Sequence, residues 1–147
     1  MTGTNYRLPL GSVDPACQDH TPFAVITNMP VKSLITTPVE GFACPAGNTL
    51  DVRGFAWSGH VPVSSMEISG NGGRTWVRTE LEPAVDRFAW RRFRATLKPT
   101  RRGAMTIIAR ATDASGRSQP LDNAPWNPRG YCNNIVHRVV GEITPAD

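Results

Sequence analysis

The residues best placed for chemistry fall in one short stretch near the C-terminus, Pro125-Trp126-Asn127-Pro128-Arg129-Gly130-Tyr131. Two prolines stiffen such a loop, which lowers the entropy lost when it presents a side chain. Arg129 stands at its middle, and a guanidinium is a permanently charged planar fork that can grip an oxyanion with two parallel hydrogen bonds. The same arginine could instead cap a loop carbonyl or pair on the surface, and Trp126 could be packing rather than a ligand platform. The residues alone leave both readings open.

Other chemistries find little support. Cys17, Cys44 and Cys132 are widely spaced, no C-x-x-C occurs, and His20, His60 and His137 do not stand at ligand spacing from them. A zinc-type site is therefore not expected, while one disulfide plus a thiol, or three thiols, both fit. Gly-x-Ser-x-Gly is absent, as is a phosphate-cradling glycine loop ending in Lys-Ser or Lys-Thr. Glu67, Glu80, Glu82, Asp86 and Asp113 are scattered without the pairing that acid–base catalysis uses. Gly70-Asn71-Gly72-Gly73 would suit an anion nest, but it lies between two strand-like segments, where a hairpin turn is the ordinary use. The chain is not expected to be catalytic by itself.

The net charge is +4, and Arg87, Arg91, Arg92, Arg94, Lys98, Arg101 and Arg102 crowd between positions 87 and 102. They read either as a docking patch for an acidic partner or as the solvated face of a strand and its turn. Nucleic acid is not an expected partner, because no helix-turn-helix, zinc spacing or base-stacking motif accompanies the charge. No apolar run approaches the ~20 residues of a membrane helix, so the chain is expected to be soluble and away from membranes.

The elements that must position these residues are short strands. At 147 residues with 13 Gly and 13 Pro, the chain suits a single turn-rich domain. Residues 1–29 lack any sustained period and read as a linker or tail of a preceding domain, with residues 30–147 as the folded domain. Strands are predicted over Val31–Thr36, Asn48–Trp57, Val63–Ser69, Thr75–Leu81, Phe88–Leu97, Met105–Thr112 and Ile135–Ile143. Leu50, Val52, Gly54 and Ala56 share one face and Asp51, Arg53 and Phe55 the other, with Phe55 an aromatic on an otherwise polar side. Phe93, Ala95 and Leu97 point inward and Arg92 and Arg94 outward. The expected fold class is all-β, an immunoglobulin-like (E-set type) β-sandwich of about seven strands.

Several stretches, in order, resemble one family. They are Val31-Lys32-Ser33-Leu34-Ile35 with Pro38, Arg53 to Gly59, Asn71-Gly72-Gly73-Arg74-Thr75-Trp76, and Phe88-Ala89-Trp90-Arg91. Ala109 to Asp113 with Gly116 and Gln119-Pro120 follow, then Trp126 to Tyr131, and Asn133-Asn134 through Val139. Together they are similar to the molybdenum-cofactor oxidoreductase dimerisation domain of sulfite oxidases, sulfite dehydrogenases and plant-type nitrate reductases. Asn5-Tyr6-Arg7 with Pro9 resembles the chain leaving the molybdenum domain. The resemblance implies a homodimer and packing on a molybdopterin-binding catalytic domain of the same protein, while a basic domain that docks an electron-transfer partner is a rival reading. The molybdenum-ligating cysteine of the family belongs to that other domain, so none of the three cysteines here is assigned as a ligand and no cofactor is expected in this chain.

The resemblance also gives Arg129 a role: in sulfite oxidases the matching arginine reaches the oxyanion pocket of the catalytic domain, whereas nitrate reductases lack it. Pro128 departs from the aliphatic residue common in the animal enzymes. A sulfite-type parent is implied, with its compartment open and the periplasm among the options. A stand-alone immunoglobulin-like binding module that docks through its basic segment is the alternative.

Overall fold

The structure is a computed structural model, and it describes residues 7–10, 13, 22–123, 127 and 130–146. All its regular elements are strands: β1 (Arg7–Pro9), β2 (Phe23–Val25), β3 (Lys32–Thr37), β4 (Phe42–Pro45), β5 (Leu50–Trp57), β6 (Val63–Ser69), β7 (Val77–Arg78), β8 (Glu80–Leu81), β9 (Arg91–Leu97), β10 (Gly103–Asp113) and β11 (His137–Thr144). No helix among the described residues is long and apolar enough to cross a membrane. One sheet has the order β4-β11-β10-β6-β7 and faces a second of order β3-β5-β9-β8, while β1 and β2 form a separate antiparallel ribbon. This is the expected all-β sandwich.

Alternation along the strands puts one side of each sheet into a shared core. Val52 and Ala56 from β5, Phe93 from β9, Met66 and Ile68 from β6, Ile107, Ala109 and Ala111 from β10, and Val139 and Ile143 from β11 meet there. Gly54 is required by this packing: a Cβ at that position would lie 2.0 Å from the Leu34 carbonyl oxygen and 2.5 Å from the Phe93 ring. Burying the Phe93 ring contributes roughly 2–3 kcal/mol.

Strands β1 and β2 lie in residues 1–29, where no strand was expected. Within residues 30–147 the structure departs from the expected elements in three further places. Thr75–Leu81 is not one strand: Val77–Arg78 pairs with β6 and Glu80–Leu81 with β9 in the opposite sheet. The crossing falls at Thr79, whose N–H donates to the Met66 carbonyl at 2.9 Å. Strand β9 begins at Arg91 rather than Phe88, because Asp86–Ala89 turns, the Ala89 N–H reaching the Asp86 carbonyl at 3.2 Å. Strand β4 was not anticipated; it runs parallel to β11, with Phe42 opposite Gly141 and Cys44 opposite Ile143. The chain passes from β3 in one sheet to β4 in the other just after the cis Thr37–Pro38 bond.

Candidate functional site

The segment expected to carry chemistry leaves β10 at Asp113 and returns at β11. Its near end is fixed by Gln119, whose side chain is buried against both sheets. Its Oε1 accepts from Ser33 Oγ at 2.6 Å and from the Ala111 N–H at 2.9 Å, and its Nε2 donates to the Asn134 carbonyl at 3.1 Å. The amide thus has partners for both its oxygen and its nitrogen, as a buried amide requires. Arg138 adds a second tie, donating to the Leu121 carbonyl at 2.9 Å and to Asp122 Oδ1 at 3.0 Å.

Farther along, Asn127 is buried, and its Nδ2 donates to the carbonyls of Arg7 at 3.1 Å and Tyr131 at 3.3 Å. The Gly130 N–H in turn donates to the Asn127 carbonyl at 2.9 Å, with Gly130 at φ +74° where glycine is at ease. The described flanks of the loop are thereby tied to the β1–β2 ribbon. Arg129 itself, with Pro125, Trp126 and Pro128, lies outside the described residues, as do Cys17 and His20.

A second feature covers the outer face of the β3-β5-β9-β8 sheet. Phe55 and Trp57 point away from the core along β5, and Leu34 of β3 stands opposite Phe55 in the register. Trp90, just before β9, stacks on Trp57 with ring centroids 4.5 Å apart and planes 15° apart, and tilts against Phe55 at 6.1 Å. The Arg92 guanidinium lies 5.9 Å above the Phe55 ring, within cation–π range. Trp90 remains 57% exposed and Leu34 39%, so this patch faces outward. Beside it runs a groove of about 860 Å³ whose walls carry both signs of charge. Arg53 pairs with Asp51 at 2.7 Å and Arg94 with Glu80 at 2.6 Å. The hydrogen bond from Arg94 to Glu80, and then the Coulombic attraction, hold that guanidinium protonated more firmly than an isolated one.

Among the described residues no three His, Cys, Asp or Glu come together as a ligand set for a metal. Cys44 is buried and Cys132 half-buried, both as thiols, and burial pushes the Cys132 thiol up. His137 is pushed down by burial and by the neighbouring Lys32 charge. Its neutral Nδ1 accepts the Ile35 N–H at 3.1 Å, linking β11 to β3. The outward aromatic patch was legible only as the single Phe55. The signal for the rest lay in Trp57, two residues on, and in Trp90, each of which could as well have been core.

Comparison with known proteins places these features in context. The family model of the Mo-co oxidoreductase dimerisation domain matches residues 23–143. Rat mitochondrial sulfite oxidase (Rattus norvegicus) is 35% identical over 127 residues, covering 82% of this chain and 23% of that protein. The human mitochondrial sulfite oxidase (Homo sapiens) is 33% identical over 141 residues, covering 91% of this chain and 26% of that protein. The chain thus spans about a quarter of the length of the curated relatives it matches. Among solved structures, the sulfane dehydrogenase SoxCD from Paracoccus pantotrophus superposes with a TM-score of 0.70 at 23% identity, covering 96% of this chain and 37% of that one. That likeness is one of fold.

Proposed function

Because the chain belongs to the Mo-co oxidoreductase dimerisation domain family, we propose that it pairs two subunits of a larger molybdopterin-dependent oxidoreductase through the outer face of its β3-β5-β9-β8 sheet. The observation that carries this reading is the patch of Leu34, Phe55, Trp57 and Trp90 with Arg92 laid over it. Aromatic residues and arginine are the types enriched at the centre of interfaces, where a few of them supply most of the binding energy. The Arg53–Asp51 and Arg94–Glu80 pairs beside it give the face both signs of charge. A two-fold contact repeats the same patch on both subunits, so a face of mixed sign can complement itself.

In this reading the molybdenum cofactor belongs to a catalytic domain of the same protein, and the substrate is a sulfur oxyanion such as sulfite. The domain's own contribution to chemistry is Arg129. A permanently charged fork aimed at the pocket would orient the anion and offset its charge. The anchoring of Asn127 to Arg7 supports this. It ties the loop carrying Arg129 to the N-terminal ribbon, the side from which a preceding domain would arrive.

Sedimentation equilibrium of the chain tests the pairing. The expected result is a dimer of about twice the 16.0 kDa chain mass, weakened at least 30-fold by Trp90→Glu, the effect of losing a hot spot of about 2 kcal/mol. A strictly monomeric chain, together with a full-length enzyme whose dimer ignores Trp90→Glu, would remove this face from the interface. In the full-length enzyme Arg129→Ala is expected to raise the KM for sulfite with folding intact, and an unchanged KM would return Arg129 to a structural role.

A further inference from the structure

The seven cations that crowd positions 87–102 do not form one patch in the fold. Arg91 turns inward to the carbonyls of Glu82 at 2.7 Å and Val63 at 2.6 Å. Arg94 is taken by Glu80, Arg92 lies over Phe55, and Arg87 lies over Phe88. Lys98, Arg101 and Arg102, in the turn from β9 to β10, are left. A fourth cation from elsewhere in the sequence, Arg74 of the β6–β7 loop, joins them around a cleft of about 670 Å³. No aspartate or glutamate lines that cleft, and among the described residues none of the four cations forms an ion pair.

The floor is apolar. Met105 and Ile143 belong to the hydrophobic core and Leu97 packs against it, so the cleft opens onto one end of that core between the two sheets. Val77, half exposed, adds an apolar wall. The cleft also stands apart from the loop site. Leu50 pairs with Leu97 and the Gly47 N–H reaches the Pro99 carbonyl at this end of the sandwich, whereas Lys32 pairs with Trp57 and reaches Asn133 at the other.

We propose that this cleft docks an extended acidic segment of a partner protein, one in which carboxylates alternate with apolar side chains. Lys98, Arg101 and Arg102 at the rim, with Arg74 held there by its Nε bond to the Asn71 carbonyl at 3.1 Å, would attract and steer the carboxylates. In an extended chain side chains alternate with a period of two, so each second residue can drop onto the Leu97, Met105 and Ile143 floor. A single-stranded nucleic acid is a poorer fit, since no aromatic ring lines the cleft to stack a base.

The test measures fluorescence anisotropy of a labelled synthetic peptide alternating glutamate and leucine, titrated with the intact chain. Binding is expected to weaken as salt rises and to fall about tenfold in the double variant Arg101→Gln/Arg102→Gln. Arg87→Glu, which removes the same net charge away from the cleft, should leave it unchanged, with circular dichroism melts confirming that each variant folds. Three outcomes overturn the proposal: equal loss in both variants, tighter binding of a single-stranded oligonucleotide with the same dependence on Arg101 and Arg102, or no salt-sensitive binding of the peptide.

Discussion

Strand β10 is continuous from Gly103 to Asp113, and its two ends are finished in opposite ways. At the far end Asp113 is buried, which by itself would push its carboxyl up. Hydrogen bonds from Ser115 and Arg117, side chain and backbone alike, outweigh that burial and hold the group below the usual carboxylate range. At the near end Lys98, Arg101 and Arg102 stand over an apolar floor with no acidic neighbour in the cleft. Charge is matched within the fold at one end and left without an ion-pair partner at the other. Internal matching marks a turn that stabilises the domain. Unmatched charge around a cleft with an apolar floor marks a surface that something else can use.

The largest expected effect comes from breaking the matched end. Asp113→Ala leaves the Ser115 and Arg117 N–H groups without their acceptor and should cost about 3 kcal/mol, read as a lower denaturant midpoint at unchanged slope. The sign with pH follows from the lowered native value. The contribution of Asp113 is whole above the ordinary 3.8 and drains away as the pH falls toward the native value. Acid titration of stability should therefore be flatter in Asp113→Asn, and parallel curves would show that this carboxylate does not stabilise the fold.

A smaller loss, about 2 kcal/mol, is expected for Gln119→Leu, which strands the Ala111 N–H in the core and leaves Ser33 Oγ only its longer bond to the Ala109 carbonyl at 3.4 Å. Amide exchange at Ala111 should quicken in that variant. Unchanged protection there would mean that the connection from β10 to β11 is held without Gln119.

What the sequence made legible follows the same division. Strands β5, β6, β10 and β11 were readable because each alternates against a buried face, and alternation is a local signal. The division of Val77–Arg78 from Glu80–Leu81 was not, since Val77-Arg78-Thr79-Glu80-Leu81 alternates smoothly and only the sheets decide where it breaks. Strand β4 was hidden for a related reason: four residues containing Cys44-Pro45 become a strand only because β11 lies alongside. By alternation Ser69 shares the face of Glu67, opposite Met66 and Ile68, yet it is buried beneath its own loop, where its Oγ accepts from the Gly73 N–H at 2.8 Å. Of the interaction surfaces, Phe55 could be flagged as an odd aromatic, but the stacking of Trp57 on Trp90 joins residues whose proximity only strand pairing fixes. The seven cations were conspicuous by composition. Which of them were already spoken for was a matter of tertiary structure.

The smallest expected effect is the sharpest test of that contrast. If Arg101 and Arg102 are not part of the domain's own scaffolding, Arg101→Ala/Arg102→Ala should change stability by no more than about 0.5 kcal/mol. The change should if anything be a gain at low salt, because two like charges leave a cluster with Lys98 and Arg74. That gain should shrink as salt screens the cluster. Thermal melts at low and high ionic strength read both. A loss approaching that of Asp113→Ala, insensitive to salt, would mean that the guanidinium stems cover the Leu97 and Met105 floor as structural packing. The two ends of β10 would then be alike in kind, and the cleft would be part of the domain's own stability rather than a surface held open for a partner.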